Sequence, residues 1–369
     1  MSGPAIVLAA GGTGGHVFPA RATAEALLSR GARVGWVVDD RALDRGGFPD
    51  GVRMRRIAAA TLSPRQPLKA PLGLWRIAKG VAAARGLIRD LGASVGAGFG
   101  GYPSLPGLVA GRLNGAKLVV HEQNAVLGRV NRLFADHAAL IATSFANTRH
   151  TGLRDSVQLV GNPVRQAVTE AAGAPYAAPQ DGPVRVLVLG GSLGARLLGR
   201  VVPQAIARLP EALRFRLELA QQAREEDLDA ARAVYAEAGV SAICQAFFDD
   251  APARIAQAHF VIARAGASTV AELAAIGRPA LFAPLAIAMD AHQTHNAQMF
   301  VDAGAGDILA EAEFQPAPLA AVLKRRLTDP DDLARRAANA RKLARTQAAD
   351  RLAETLIDLA QAAQDEARS

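Results

Sequence analysis

The chain has 369 residues, half of them hydrophobic but only 5% aromatic, and carries a formal net charge of +8. That length exceeds what one core usually supports, so two domains are expected, and the wealth of Ala and Gly favours helices packed closely on sheets over a β-sandwich. A single cysteine, Cys244, excludes an intramolecular disulfide framework and any multi-thiolate metal site.

The opening "MSGPAIVLAAGG" has neither the basic region nor the long apolar core of a signal peptide, which predicts a cytoplasmic protein. "AIVLAA" reads as a buried strand that runs into a glycine loop, "GGTGGH" (11–16), and a helix is expected from about Pro19 to Ser29, closed by Gly31. "ARVGWVV" is a second strand. Asp39 and Asp40 fall near the place of a ribose contact, but the loop pattern G-G-x-G-G does not match the dinucleotide fingerprint. Nine Lys/Arg and no Asp/Glu occupy residues 51–89. On a helix from Pro71 to about residue 90, Leu74, Ile77, Val81 and Ile88 share one side and form the expected core face. Leu72, Trp75, Arg76 and Lys79 share the other, a tryptophan among cations suited to an anionic bilayer. Residues 91–111 carry no charge, yet seven Gly and two Pro make them a strand and loop, "FGGYPSLPG", and not a membrane span. "AKLVVHEQN" is another strand, and His121, Glu122 and Asn124 at its end should sit near the cleft; His121 and Glu122 read equally as site residues or as a structural hydrogen-bond cluster.

The Pro- and Gly-rich "EAAGAPYAAPQDGPV" (170–184) reads as the end of a linker, after which the same grammar restarts. "VRVLVLGGSLGA" is a strand running into a third glycine loop, and further strands are expected near 215–220, 241–246, 259–263 and 279–283. In "FFDDAP", Asp249 or Asp250 caps a helix that has Pro252 in its first turn. In "ARAGASTVAELAAIG" a strand ends at about Ala263 and Glu272 lies in the first turns of the next helix. There it can accept from both hydroxyls of a ribose or simply complement the helix dipole. "DAHQTHNA" sets Asp290 as an N-cap and Gln293 on a first turn, with donor and acceptor for a sugar. The pattern predicts an α/β protein of two Rossmann-like doubly wound domains facing across a cleft. Their expected bounds are 1–163 and 164–345, with a last helix at about 346–367 packing back on the first.

Glycine turns at strand ends bring backbone N–H groups close to an anion, and the helix that follows adds a positive dipole end, so phosphate is the expected guest. No Gly-Lys-Ser/Thr follows any of the loops, which argues against a P-loop. Charge is uneven, +12 over residues 1–165 and −4 over the remainder. An anionic partner is therefore expected on the first half. A membrane surface fits it; nucleic acid does not, because no recognisable module or aromatic stripe is present.

Taken in order and spacing, "GGTGGHVFPA", "FGGYPS", "HEQNAVLGRVN", "GNPVR", "GGSLGA", "RAGASTVAE" and "DAHQTHNA" resemble the MurG family of bacterial peptidoglycan synthesis, from about residue 5 to 310. The resemblance implies the GT-B architecture and an inverting transfer of N-acetylglucosamine. The donor is UDP-N-acetylglucosamine and the acceptor the 4-hydroxyl of the muramoyl sugar of undecaprenyl-pyrophosphoryl-muramoyl-pentapeptide (lipid I), giving lipid II. It further implies a peripheral location on the cytoplasmic face of the inner membrane. Carried over position by position, the donor site comprises Thr13, Gly14, Gly15, Asn124, Arg165, Ser192, the backbone at Phe248, the run Ala267, Ser268, Thr269, Val270, Ala271 and Glu272, and Gln293. Glu272 would hold the ribose, Gln293 the donor sugar, and the loop at Ser192 the diphosphate. The family usually has Gln after that serine, whereas this chain has Leu193, which removes a polar contact.

Inverting transfer needs a base on the acceptor hydroxyl and stabilisation of the departing diphosphate. His16 is the candidate base, since imidazole titrates in the required range; a carboxylate or a solvent relay is the alternative. The third glycine loop and Arg165 are the candidates for leaving-group charge, with no metal and no cofactor expected. A UDP-sugar 2-epimerase of similar architecture is the competing reading, and a non-catalytic nucleotide-binding scaffold a third.

Overall fold

The computed structural model describes residues 3–44, 46–58, 70–146, 148, 156–191, 196–286 and 291–367. It divides into two compact units, residues 1–165 with 346–369, and residues 166–345.

The first unit runs β1 (Ala5–Ala9), α1 (Gly14–Ser29), β2 (Arg33–Val38), α2 (Asp40–Leu43), β3 (Arg53–Arg56), α3 (Ala70–Leu91), β4 (Val95–Gly98), α4 (Leu105–Leu113), β5 (Lys117–Glu122), α5 (Arg129–Phe134), β6 (Leu140–Thr143) and β7 (Val157–Leu159). The strands form one sheet in the order β3-β2-β1-β4-β5-β6-β7, paired in parallel throughout. A parallel sheet covered on both faces needs strands that are apolar on both sides, and β1 is buried at every residue. Chain order reverses between β1 and β4. The carboxyl ends of these two strands therefore form the switch-point crevice where open α/β sheets take ligands, and they carry "GGTGGH" and "FGGYPS".

Two expectations for this unit are corrected. Helix α1 begins at Gly14 and not at Pro19, so Gly14, Gly15 and His16 form its first turn and Pro19 lies inside it. In α3 the buried line runs through Gly73, Gly80, Ala84, Leu87 and Leu91, and Leu74 is 56% exposed instead of belonging to the core. The cause is the small residues: a Cβ on Gly80 would sit 3.2 Å from Pro106 of α4, so α3 approaches α4 along that line and turns Leu74 outward.

The second unit runs α6 (Gln166–Ala171), β8 (Val184–Leu189), α7 (Arg196–Ile206), α8 (Glu211–Arg214), β9 (Leu217–Gln222), α9 (Leu228–Glu237), β10 (Ser241–Gln245), α10 (Ala251–Gln257), β11 (Phe260–Ala263), α11 (Ala267–Ile276), β12 (Ala280–Phe282), α12 (His292–Asp302), β13 (Gly306–Ile308), α13 (Pro316–Leu327) and α14 (Pro330–Lys342). Its parallel sheet has the order β10-β9-β8-β11-β12-β13, and the switch point falls between β8 and β11. Here too glycine follows the two strands at the reversal: Gly190 and Gly191 come directly after β8, and "RAGAST" comes after β11. The stretch read as a linker is gripped by this unit: Arg341 donates to the carbonyl of Ala174 at 2.6 Å, Arg278 to that of Pro175 at 3.1 Å, and the Tyr176 hydroxyl to that of His259 at 2.9 Å.

Helix α15 (Ala348–Glu366) returns to the first unit. Leu352, Ala353, Leu356 and Ala360 enter the core built by α1 and the strands, and Arg30 holds Asp350 at 2.9 Å and Glu354 at 3.2 Å along its edge. No helix among the described residues is long and apolar enough to cross a membrane. Leu356 is fully buried. Leu356→Ala is expected to cost about 2–5 kcal/mol in urea unfolding, against about 0.5 kcal/mol or less for Leu72→Ala on the exposed face of α3.

Candidate active site

In the first unit the site begins with one buried carboxylate. Asp39 directly follows β2, is 3% exposed, and accepts from the amide of Gly12 at 2.8 Å and from that of Ala42 at 3.3 Å. Gly11 has to be glycine because a Cβ there would strike the Asp39 carboxylate and lie 2.8 Å from Pro103. Asp39 thus fastens the first glycine loop and does not stand as a ribose acceptor.

From this anchored loop α1 starts with Thr13 at its N-cap and His16 in its first turn, and Thr13 Oγ1 lies 3.2 Å from His16 Nδ1. The imidazole is half-buried against the second glycine loop. A Cβ on Gly101 would be 3.2 Å from the ring and one on Gly100 3.5 Å, and both residues adopt positive φ, +70° and +78°. Only glycine meets both demands, so the two loops meet at the histidine. Arg165, the last residue of the first segment of this unit, stacks over Phe18 of α1 at 4.8 Å.

Beside this pair lies the cluster built by "HEQN". Glu122 is buried and accepts from Gly128 N (2.8 Å), Asn131 Nδ2 (2.8 Å), Asn124 N (3.0 Å) and Asn124 Nδ2 (3.1 Å). Burial pushes its carboxyl above the usual range, against the pull of those donors. His121 bonds the Gly161 carbonyl through Nε2 at 3.0 Å and Gln123 Nε2 through Nδ1 at 3.1 Å. A carbonyl only accepts, so the proton sits on Nε2 and Nδ1 accepts. These two residues are structural. They fix Asn124 and Asn131, and Asn131 lies 3.3 Å from where a Gly100 Cβ would be.

The second unit repeats the anchoring device. Gln222, the last residue of β9, accepts from the amide of Gly190 at 3.1 Å and donates to the Ala246 carbonyl at 3.1 Å, tying the third glycine loop to the segment that precedes Phe248. Ser192 and Leu193 lie outside the described residues, as does Asp290. Phe248 is buried under Arg254, whose guanidinium sits 4.3 Å from the ring. Asp250 occupies the N-cap position of α10 but makes no capping bond; its carboxylate takes Arg254 Nε at 2.7 Å instead.

Ala267, Ser268, Thr269, Val270, Ala271 and Glu272 are the first six residues of α11, which starts behind Gly266 at the switch point. Ser268 Oγ is buried without a hydrogen-bond partner among the described residues. Glu272 is 8% exposed and lies in the second turn, beyond the reach of a simple first-turn dipole partner. Gln293 follows the first residue of α12, whose N-cap is Ala291 in the left-handed region at φ +50°. The Gln293 Oε1 accepts from Leu285 N at 3.0 Å, which orients the carboxamide and leaves, among the described residues, its NH2 and the second lone pair of Oε1 for a ligand. Asn296 Nδ2 donates to the Ala265 carbonyl at 3.1 Å, lacing α12 to the turn before α11.

Sequence reasoning missed the two anchors, Asp39 and Gln222. The available signal was a polar residue closing the strand beside each glycine-loop strand.

Glycosyltransferase family 28 models match twice, the N-terminal domain over residues 6–143 and the C-terminal domain over residues 185–352. A relative from Maricaulis maris (strain MCS10), the UDP-N-acetylglucosamine--N-acetylmuramyl-(pentapeptide) pyrophosphoryl-undecaprenol N-acetylglucosamine transferase, is 48% identical over 96% of this chain and 97% of its own length. The crystal structure of Acinetobacter baumannii MurG superposes with a TM-score of 0.76 at 31% identity, covering 96% of this chain and 99% of that one. A UDP-N-acetylglucosamine 2-epimerase aligns with a TM-score of 0.64 but only 15% identity over 96% of each chain, which is a likeness of fold alone.

Two Rossmann-like units with anchored glycine turns at both switch points, matched by these models, define a glycosyltransferase of the GT-B class. Within that class, the chain belongs to the MurG family of N-acetylglucosaminyltransferases.

Burial pushes the His121 imidazole down to about 4 from its ordinary 6.5. The unfolded chain therefore takes up this proton first as pH falls, so the stability held by the neutral ring is intact above pH 6.5 and drains away toward pH 4. At pH 5 the loss from this one group is about 2 kcal/mol. Urea unfolding at pH 7.5 and pH 5 checks it: the pH-dependent loss in His121→Gln is expected to be smaller by about that amount.

Proposed function

We propose that the protein transfers N-acetylglucosamine from UDP-N-acetylglucosamine to the 4-hydroxyl of the muramoyl sugar of lipid I, forming lipid II with inversion at the anomeric carbon. One observation carries the reading: a relative bearing that activity in its name matches across 96% of the chain at 48% identity.

The second unit takes the donor. Glu272, buried behind the start of α11, accepts from the ribose hydroxyls, while the first-turn amides of that helix and the orphan Ser268 hydroxyl face the diphosphate. Gln293 donates its NH2 to the hexosamine. The backbone at Phe248 and the loop at Ser192 complete the donor contacts.

The first unit takes the acceptor, and His16 is its base. With Nδ1 protonated and donating to Thr13 Oγ1, Nε2 is the basic nitrogen that removes the proton of the attacking hydroxyl. The backbone of Gly100 and Gly101 holds the ring plane, and the first-turn amides of Gly14 and Gly15 with Arg165 give this edge of the first unit a positive potential suited to a phosphate. Transfer assayed with labelled UDP-N-acetylglucosamine and a lipid I analogue is expected to give a disaccharide product, and UDP-N-acetylglucosamine incubated alone is expected to stay unchanged, as it would not with an epimerase. His16→Ala should lower kcat at least ~100-fold with donor KM within a few-fold, whereas undiminished turnover would remove His16 as the base.

Helix α3 is the membrane contact, on the cytoplasmic face of the inner membrane. Leu72, Leu74 and Trp75 are each at least half exposed, Arg76 and Lys79 are exposed beside them, and Lys79 Nζ lies 4.1 Å above the Trp75 ring. Apolar side chains ringed by cations suit an anionic bilayer and not a nucleic acid. Sedimentation with anionic vesicles is expected to show at least ~10-fold weaker partition for Trp75→Ala combined with Lys79→Glu, and a smaller loss on neutral vesicles, where only the apolar contribution of the tryptophan is removed.

A further inference from the structure

Arg264 and Glu311 form an ion pair of 3.2 Å in the second unit, at side-chain exposures of 12% and 29%. Arg264 is the residue directly after β11, at the head of the turn that enters α11, and its Nη1 donates to the carbonyl of Ala283, the first residue after β12, at 2.8 Å. Glu311 comes from beyond β13. One of its oxygens accepts from Arg264 Nη2 and the other from the amide of Ala286 at 2.7 Å. Between these, the Leu285 amide donates to Gln293 Oε1. The segment 283–286 is thus held by Arg264 at one end, Glu311 at the other, and by Gln293 itself between them.

We propose that Glu311 is a positioning residue that sets donor-sugar specificity: its carboxylate holds Arg264 and the Ala286 amide, and through them the segment that orients Gln293. This rests on the reading of Gln293 as the hexosamine contact. A carboxylate suits the role because it offers two acceptor oxygens in two directions, one for a guanidinium and one for an amide; a carboxamide turns one of them into a donor that opposes the N–H it faces. The separate lace from Asn296 to the Ala265 carbonyl does not pass through Glu311. Loss of the carboxylate therefore loosens the sugar side of the site and leaves α11, with Glu272, in place.

The experiment uses the full chain as Glu311→Gln and Glu311→Ala. It measures donor and acceptor KM, kcat, the calorimetric Kd of UDP, and the ratio of kcat/KM for UDP-N-acetylglucosamine over its 4-epimer, UDP-N-acetylgalactosamine. The expected result is a UDP Kd and an acceptor KM within about twofold of the unsubstituted protein, a raised donor KM, and a ratio about tenfold lower. Because the effect runs through Gln293, adding Glu311→Gln to Gln293→Ala is expected to change the ratio no further. An unchanged ratio, additive effects in that double variant, or a UDP Kd that rises in step with the donor KM would overturn the proposal. If the unsubstituted protein takes up no UDP, the donor-site reading fails on its own, before any Glu311 variant is measured, and the proposal falls with it.

Discussion

A backbone amide held by a side chain from the neighbouring strand is the constraint on which both units depend. In the first, Asp39 holds Gly12; in the second, Gln222 holds Gly190. A glycine loop is free to take many conformations, and that freedom opposes any fixed array of N–H donors. A single buried acceptor one strand away removes much of it. In each unit the acceptor sits at the carboxyl end of the strand beside the switch-point strand, so the same solution recurs at the same place in two sheets. In the first unit the loop that results is fixed before a ligand arrives, which is how backbone dipoles become effective against a phosphate without the cost of ordering them at the moment of binding.

Once the first loop is fixed, everything near His16 follows from close approach. The imidazole lies against Gly100 and Gly101, whose positive φ and missing side chains let the second loop lie on the ring, and Thr13 engages Nδ1. Behind them Glu122 gathers four N–H donors from three residues, and His121 stays neutral between Gly161 and Gln123. The polar groups of "HEQN" therefore divide their labour: three are buried and build a platform, while Asn124 is held on its rim. The same division appears in the second unit, where Arg264 and Asn296 tie the segments that carry the donor contacts.

The basic helix α3 shows how a small-residue line decides what an amphipathic helix presents. Gly80 and Ala84 draw it against α4, and the rotation that results exposes three large apolar side chains in place of two. The final helix has the opposite fate. Leu352, Leu356 and Ala360 lie more than 180 residues beyond the last strand of the first unit, yet pack into its core.

Much of this was legible in the residues alone. Apolar strands alternating with helical periodicity specify parallel α/β sheets, and three glycine turns at strand ends specify an anion-binding edge, because those are local consequences of side-chain period and backbone freedom. Strand order is not local. Only the folded chain placed β1 beside β4 and β8 beside β11, bringing the glycine turns to the two points of reversal. Only the fold, likewise, could tell that Asp39 anchors a loop instead of meeting a ribose, that Leu74 faces outward, and that the carbonyl of Gln293 is already engaged. Each of those outcomes is a competition for one hydrogen-bond partner or one packing face between residues distant in sequence, and the winner is set by which backbone comes near.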